Sequence, residues 1–588
     1  MSKTGHLDEE KVLPSAHKES RDVEEQQDIK VDVHTGLYDG VQRNMKQRHI
    51  QMIAIAGVRF DWSLSCSLFL RSADARYGVV PGLWKGYRAC GTCWCSVRSP
   101  AFPLSRRQFT DPDCARLAYI HVGTISYCML MSLGEMICYM PISGGYIHLA
   151  ERFVDPAVGF ALGWVQWYGG VVSLPTEIIS ATLVIGFWDT PMPTAHLVAL
   201  ITLLSVFCAA INFLGVRWFG ESEFIFAMIK IMLVVGCVVG GLVIDLGGGP
   251  HGDRIGFRYW EHPGAFAPYI STGNAGRFAG WFTTLLQAAY SYSGMENLAM
   301  TAAEVENPRR SLAQAVRRVF YRIMLFYVCG ILVVGMLVPF NDLHLLQSTG
   351  TAADSPFVLA MTRAGVKVLP SIINAGVLTS AFSAGSSGLY GTSRKLYGMA
   401  LRGQAPRIFA TTTPGGLPMV SLAFSSVFLV LAYMAVNKGS STALNWLTNL
   451  TTIRAFASWG IISWVYIRFH AGLKAQGIDR TRFVYWSRLQ PWAAYWSLFW
   501  SIVIVVFNGF RVFVHGQWST TDFIIAYVNL PIGAVLYIAY KLIRKTRMVD
   551  LEKMDFYSNV PPPDVDSNEA ENGREGVIGG EFRGGCFE

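Results

Sequence analysis

Long apolar stretches alternate with short polar connections over most of the chain from residue 116 to residue 543. Since a transmembrane helix needs about 20 apolar residues, this pattern predicts roughly eleven regular spans and one irregular span. The regular spans are predicted near 116–140, 157–187, 195–215, 222–245, 277–302, 319–340, 366–390, 418–436, 444–467, 492–513 and 523–543. The irregular span is predicted near 50–70, where Arg59 and Asp61 interrupt the apolar run. The pattern therefore indicates an all-α polytopic membrane protein.

Polar segments lie on both sides of this region. Residues 1–42 are mixed in charge and nearly free of aromatic side chains, and residues 547–588 are rich in Pro and Gly. Segments of this composition bury too little apolar surface to fold, so both are predicted to be disordered tails. No signal peptide is expected, because an acidic segment precedes the first apolar run. The predicted transmembrane domain covers residues 43–546.

Composition and charge support a membrane location. Hydrophobic residues make up 52% of the sequence and charged residues only 15%, whereas soluble domains contain about 25% charged residues. The basic connections 303–322, 393–410 and 468–490 alternate with weakly charged ones, so they are predicted to share the cytoplasmic side. An even number of spans then leaves both termini in the cytoplasm. The net charge of +8 is explained by this topology and by anionic lipid head groups, without nucleic acid.

The span near 277–302 contains an unusual polar stretch. It reads, in order, Tyr290, Ser291, Tyr292, Ser293, Gly294, Met295 and Glu296. Gly and Ser loosen a helix, and irregular backbone inside a membrane occurs only where it is buried in protein or lines a wet cavity. A carboxylate at this depth indicates a functional site. The alternative is a kinked structural span in which Glu296 makes a buried hydrogen bond.

Other spans also carry polar groups, and each has two interpretations. Glu177 is either a pocket carboxylate or a partner for a neighbouring helix. Lys230 either extends to the membrane surface or faces the interior, where a desolvated amine exchanges protons readily. The small residues at 378–387 either allow close helix packing or present hydroxyl groups to a ligand.

Several functions are not expected from this sequence. It has no nucleophile motif, phosphate-binding loop or paired metal ligands within the spans, so neither an enzyme nor a cofactor is expected. Cys90, Cys93 and Cys95 lie close together, but they lack a second ligand pair or a nearby His at zinc spacing. The remaining cysteines are scattered among the spans, so no disulfide framework is predicted.

Several long runs resemble the fungal amino acid permease family of the amino acid–polyamine–organocation superfamily. They include GEMICYMPISGGYIHLAERFVDPAVGFALGW, FGESEFIFAMIK, YSYSGMENLAMTAAEVENPRRS and LQPWAAYWSLFW. The resemblance implies twelve transmembrane helices, the first ten forming a five-plus-five inverted repeat of the LeuT type. It also implies proton-driven import of amino acids across the plasma membrane. The expected partners are an amino acid substrate, protons and the lipid bilayer.

The resemblance also implies roles for individual residues. The implied substrate-binding residues are Tyr290, Ser291, Tyr292, Ser293, Gly294, Glu296 and Glu177. The implied proton-coupling residues are Lys230, Ser383 and Ser387. In such transporters the broken helix ends receive the charged groups of the amino acid.

Two departures from the family pattern affect these expectations. Residues 59–115 are unlike the family and replace its Gly-rich first span, as a shifted reading frame or a retained intron would do. We expect this segment to impair transport. The alternative functions are therefore a non-transporting amino acid sensor or a transport-defective product of an aberrant gene model. Arg454 stands where relatives have a small residue, and it either faces the pocket and favours an acidic substrate or pairs with a membrane carboxylate.

Overall fold

Helices form almost all of the part of the chain that a computed structural model describes. The described residues are 37–38, 41–42, 48–49, 112–188, 192–249, 252–261, 273–305, 308–339, 356–366, 368–438, 440–514 and 518–558. The predicted irregular span near 50–70 and the segment 59–115 lie outside these ranges, as do most of the N-terminal tail and residues 559–588.

The helices follow one another with short connections. In chain order they are α1 (Pro112–Tyr139), α2 (Gly145–Phe153), α3 (Pro156–Ile185), α4 (Thr194–Phe213), α5 (Val216–Asp245), α6 (Arg258–Glu261), α7 (Gly273–Tyr292), α8 (Pro308–Leu337), α9 (Pro356–Arg363), α10 (Leu369–Leu401), α11 (Met419–Val427), α12 (Met434–Lys438), α13 (Ser440–Ala475), α14 (Trp492–Phe507), α15 (Thr520–Tyr527) and α16 (Asn529–Arg544). Short 3₁₀ helices lie at Met295–Glu304, Arg407–Ala410, Phe428–Tyr433, Arg480–Arg482, Phe510–Phe513 and Leu551–Lys553. Leu37–Tyr38 (β1) and Val41–Gln42 (β2) form a small antiparallel pair.

Within the described residues, five helices are long and apolar enough to cross a membrane. They cover Ala115–Tyr139, Pro156–Ile185, Thr194–Phe213, Val216–Asp245 and Met419–Val436. Two shorter apolar helical segments are Met324–Leu337 and Trp492–Phe507. The described part of the chain is therefore almost entirely helical and contains membrane-length helices, and the twelve-span count and the inverted repeat stay predictions.

Local sequence explains the start and the packing of α3. Asp155 caps its N-terminus by accepting a hydrogen bond of 2.9 Å from the Ala157 N–H, and Pro156 occupies the first turn, where a missing N–H costs nothing. Along its length α3 packs against α10. Gly170 allows this approach, because a side chain there would collide with Thr392 of α10.

The α10 helix extends farther than the sequence predicts. The predicted span ends at 390 and leaves Arg394 and Lys395 in a basic loop, but α10 continues to Leu401 and both side chains are buried. Charged side chains inside membrane helices are usually buried in the protein and paired. Here Glu304 pairs with Arg394, so the helix continues through the charged positions.

The segment after α16 also differs from the sequence prediction of a tail disordered from residue 547. Its backbone bonds to the end of α2 through the Val549 N–H and the Val154 carbonyl, 2.9 Å apart. Phe556 is completely buried and stacks on Phe153, with ring centroids 5.4 Å apart. Arg152 of α2 forms an ion pair of 2.7 Å with Asp555. One buried aromatic side chain and several hydrogen bonds thus order a stretch whose composition is that of a tail.

Candidate functional site

The helix break predicted at 290–296 is present. The α7 helix ends at Tyr292, and the chain resumes at Met295 as a 3₁₀ helix. Between them, Gly294 has φ 105° and ψ −14°, in the left-handed region. Glycine enters this region without the steric cost that a side chain adds. The backbone is therefore interrupted in the middle of an otherwise apolar helical stretch.

Polar groups at the break are satisfied from both sides. The Tyr327 hydroxyl donates a hydrogen bond of 2.8 Å to the Ser291 carbonyl, one of the groups left unpaired where α7 ends. On the other side, the Gly294 N–H donates to Oε2 of Glu296 over 3.0 Å. The Trp459 indole N–H donates to the same oxygen over 3.2 Å. Both donors therefore reach the same oxygen, Oε2 of Glu296.

Three buried tyrosines support the end of α7. The rings of Tyr292 and Tyr327 lie 4.8 Å apart, and Tyr119 lies 5.5 Å from Tyr327. The Tyr292 hydroxyl donates to the Tyr119 carbonyl over 3.2 Å, and the Tyr119 hydroxyl lies 3.1 Å from Oγ of Ser291. Ser291 and Tyr292 therefore contact α1 and α8. Ser293 is half-buried, and the Tyr290 side chain lies outside the described part of the chain.

A second polar cluster lies where α5 meets α10. Lys230 of α5 is completely buried, which argues against its extending to the membrane surface. Glu223, two turns earlier on the same helix, is also completely buried and attracts Lys230 electrostatically. Oε2 of Glu223 accepts a hydrogen bond of 2.7 Å from Ser383, and Ser387 lies beside the same carboxylate. The structure thus brings Lys230, Ser383 and Ser387 together around Glu223.

Glu177 contacts the same part of α10 from the α3 side. A Cβ atom at Gly385 would lie 3.4 Å from Cβ of Glu177 and 4.0 Å from Sγ of Cys208. On α4, Asn212 donates hydrogen bonds to the carbonyl and Oγ of Ser386 over 3.3 Å and 3.2 Å. Glu177 is therefore a neighbour of the second cluster, whereas the sequence analysis groups it with the break.

Glu223 is not among the site residues predicted from the sequence. The signal was its spacing of seven residues from Lys230, which puts the two charges on one face of a helix. The proximity of Ser383 has no sequence signal, because the two positions are 160 residues apart.

Basic residues lie near the break on its other side. Arg454 of α13 donates a hydrogen bond of 3.2 Å to the Gln166 carbonyl, and its side chain fills the space beside Gly169. Lys395 of α10 interacts electrostatically with both Arg454 and Glu296. Lys395 and Arg454 thus belong to neighbouring helices, α10 and α13, on this side of the break.

A buried ion pair joins the 3₁₀ helix to α10. Nε of Arg394 lies 2.9 Å from Oε1 of Glu304, and the Tyr390 hydroxyl donates to Oε2 of Glu304 over 2.5 Å. The Tyr390 ring stacks on Phe219 of α5 at 4.3 Å. The ion pair and the hydrogen bond to Glu304 hold the end of the 3₁₀ helix that follows the break against α10.

Groups of three or more His, Cys, Asp or Glu side chains that would hold a metal ion are absent from the described ranges. Cys90, Cys93 and Cys95 lie outside those ranges.

A family model and several relatives agree on one family for this chain. A family model described as "Amino acid permease" matches residues 112–553, a range that begins at the end of the segment 59–115. The "Dicarboxylic amino acid permease" of Saccharomyces cerevisiae is 36% identical over 91% of this chain and 82% of its own length. The "Proline-specific permease" of Emericella nidulans is 37% identical over 74% of this chain and 80% of its own length.

A "Lysine-specific permease" of Saccharomyces cerevisiae is 34% identical over 91% of this chain and 82% of its own length. Among solved structures, a manganese transporter of Eremococcus coleocola gives a TM-score of 0.47 at 11% identity, covering 84% of this chain and 94% of its own length. A likeness this weak establishes neither the fold nor the function.

Proposed function

Because the chain belongs to the amino acid permease family, we propose that it is a secondary active transporter. It carries amino acids into the cell across the plasma membrane, together with protons. The relatives carry the names of permeases for dicarboxylic amino acids, proline and lysine. Their shared substrate class is amino acids, and none of these names supports a sensor that does not transport.

The single observation that carries the proposal is the break after Tyr292. A helix end with exposed N–H groups attracts a carboxylate, and one with exposed carbonyl groups attracts an ammonium group. A zwitterionic amino acid carries both charges. Gly294 and Glu296 lie at such a break within an apolar helical stretch, and this arrangement supports their role in binding the substrate.

The other residues of the break have roles that follow from their positions. Ser291, Tyr292 and Ser293 shape the end of α7, and Tyr290 and Tyr292 supply aromatic surface to the pocket. Glu177 binds substrate from the side of the second polar cluster, next to Gly385 of α10. The contacts of Ser291 and Tyr292 with Tyr119 and Tyr327 support a preorganised pocket, since each is held before substrate arrives.

Proton coupling is assigned to Lys230 with Ser383 and Ser387. A buried amine next to a buried carboxylate exchanges a proton with little change in net charge. Glu223 supplies that carboxylate, and Ser383 donates a hydrogen bond to it. This contact also joins α5 to α10, so protonation of the pair is able to change how the two helices pack.

The topology follows from the basic connections, which face the cytoplasm together with both termini. Residues 59–115 replace the first span of the family. We expect this replacement to reduce the transport rate, because half of the substrate site in the family comes from that span.

The test is uptake of a panel of radiolabelled amino acids by cells that express this chain, at external pH 5 and pH 7. The comparison is a variant in which the first span of a relative replaces residues 59–115. We expect uptake to be faster at pH 5 than at pH 7. We also expect it to be faster in the chain with the replaced segment than in the original chain. Absence of uptake of every amino acid by both chains contradicts the proposal.

A further inference from the structure

Residues 549–558, which we call the C-terminal strap, bind α2 and α13 at the same time. The Val549 N–H donates a hydrogen bond of 2.9 Å to the carbonyl of Val154, the residue that follows α2. Nε of Arg152 donates to the Asp555 carbonyl over 2.7 Å, and Nη2 of the same side chain forms an ion pair of 2.7 Å with Oδ2 of Asp555. The strap is therefore tied to the end of α2 at two separate points.

The surface of α13 holds the strap from the other side. Nε2 of Gln476, the residue that follows α13, donates to the Met554 carbonyl over 2.7 Å. At Gly472 of α13, a Cβ atom would collide with Sδ of Met554 and would lie 3.0 Å from Cζ of Phe556. The Phe556 ring packs against Phe469 of α13, with ring centroids 5.7 Å apart. The strap thus fills the space that Gly472 leaves on α13.

The strap is anchored by few buried side chains. Met554 and Phe556 are buried, whereas Lys553 and Tyr557 are exposed, and regular structure in the strap is limited to a short 3₁₀ helix at Leu551–Lys553. Ordering each residue costs conformational entropy, which burial of apolar surface offsets. A segment with so few anchors detaches at a lower free-energy cost than a helix of the core. The strap is therefore suited to dock and undock while the helices stay folded.

Both elements that the strap joins also contact the segment after the helix break. From α13, the Trp459 indole N–H donates to Oε2 of Glu296 over 3.2 Å. From α2, Gly145 lies directly against the 3₁₀ helix, since a Cβ atom at this position would lie 2.7 Å from the Ala299 carbonyl oxygen. Separation of α2 from α13 would therefore change the contacts of the 3₁₀ helix that carries Glu296.

The strap lies on the side from which an imported substrate leaves. In the proposed topology, the connection 468–490 and the C-terminus both face the cytoplasm. Transporters of this kind expose a central site to each side of the membrane in turn, as one group of helices moves against another. A strap that holds α2 against α13 opposes such movement at the cytoplasmic side.

We propose that the C-terminal strap is autoinhibitory. When it is docked, it slows the opening of the site towards the cytoplasm, and its release speeds transport. Docking and release of a short segment is a common form of molecular switch. This inference rests on the proposed transport function, and it gives a regulatory role to a segment whose composition is that of a tail.

The first test locks the strap in place with a reversible cross-link in the full chain. Gly472→Cys combined with Met554→Cys brings two thiols together, because a Cβ atom at position 472 reaches the Met554 side chain. Oxygen with copper phenanthroline takes two electrons and two protons from the thiols to form the disulfide, and dithiothreitol returns them. Oxidation is expected to lower the maximum rate of amino acid uptake about tenfold, with recovery in dithiothreitol.

Each single cysteine variant, treated in the same way, is expected to show no change on oxidation, which controls for the native cysteines. A cross-linked chain that transports as fast as the reduced chain would refute the inhibitory role of the strap.

The second test releases the strap. Phe556→Ala removes an anchor that is completely buried, and it is expected to raise the maximum uptake rate about twofold at matched surface amounts. Tyr557→Ala, whose side chain is 72% exposed, is the matched control and is expected to keep the original rate. If Phe556→Ala transports at an equal or lower rate, the strap supports the fold and autoinhibition is refuted.

A third measurement follows the opening of the site without transport. Ser293→Cys places a thiol at the break, and a membrane-impermeant thiol reagent is added to the cytoplasmic side of inside-out vesicles. Labelling above that of the chain without this cysteine is expected to be faster with Phe556→Ala than with Tyr557→Ala. Equal labelling refutes the strap even where uptake is normal. Faster labelling in a chain that takes up no amino acid supports the strap and refutes only the transport function.

Discussion

Arg394 and Glu304 form a buried ion pair that joins the chain beyond the helix break to α10. Their Nε and Oε1 atoms lie 2.9 Å apart, and the two side chains are 5% and 2% exposed. This pair therefore holds the end of the 3₁₀ helix that follows the break against α10.

Removal of one partner of this pair is expected to destabilise the protein strongly. Arg394→Met leaves Glu304 as an uncompensated buried charge, at a cost of about 3–5 kcal/mol. Thermal unfolding of the detergent-solubilised chain measures the loss. The control is Arg482→Met, whose partner Asp479 is exposed at the surface, and such a pair contributes about 0–1 kcal/mol. Equal unfolding temperatures for the two variants would contradict the assignment.

Gly294→Ala is expected to reduce amino acid uptake severely. A side chain in the left-handed conformation at φ 105° strains the break by about 1–2 kcal/mol and displaces the N–H that bonds to Glu296. The measurement is the initial rate of uptake at matched surface expression. Gly236→Ala in α5, where a Cβ atom meets nothing within 4 Å, is expected to transport normally. A normal rate in Gly294→Ala would show that the break does not require glycine.

Glu223→Gln is expected to uncouple transport from the proton gradient. The variant keeps the hydrogen-bonding shape but removes the charge that faces Lys230 and Ser383. Substrate exchange between the two sides of vesicles should continue, whereas accumulation driven by an imposed pH difference should be lost. Glu221→Gln is the matched control, since Glu221 lies on the same helix, is 40% exposed and pairs with Arg48. Undiminished accumulation by Glu223→Gln would exclude Glu223 from coupling.

Phe556→Ala is expected to release the segment that follows α16. Phe556 is completely buried between Phe153 and Phe469, and truncating a buried Phe costs about 3–5 kcal/mol. Limited proteolysis of the C-terminal segment measures the release. Tyr557→Ala removes the neighbouring aromatic ring, which is 72% exposed, and should leave the cleavage rate unchanged. Similar cleavage of both variants would mean that the buried ring does not hold the segment.

Stability is expected to decrease as the pH falls below about 6.5, the ordinary pKa of a histidine. Burial lowers the pKa of His148 in α2 to about 3, and the charges of Arg402 and Arg152 add to this effect. The unfolded chain therefore binds a proton that the folded chain refuses between these two pH values, and stability is lost over that window. His148→Gln should flatten the decrease in unfolding temperature between pH 7 and pH 5. An unchanged slope would assign the effect to other groups.

Sequence alone supported the helical membrane architecture, the break at Gly294 and the presence of polar residues inside spans. These features are local, since apolar run length, a glycine and a charge in an apolar run can each be recognised without knowing any neighbour. The resemblance to a permease family depended on the same runs, and the family comparison confirmed it. The sequence also singled out Lys230 and Ser383, but as separate features with two interpretations each.

Only the tertiary structure decided which of these groups meet. Glu223 contacts Ser383, Glu304 contacts Arg394, and Lys395 shares its surroundings with Arg454, although each pair is separated by dozens of residues or more. Helices carry side chains on all sides, and the face that turns inward depends on the packing of every neighbour. For the same reason Phe556 could not be recognised as buried, because the surface that covers it comes from α2 and α13. A polar tail and a docked segment have the same local sequence until a partner surface is present.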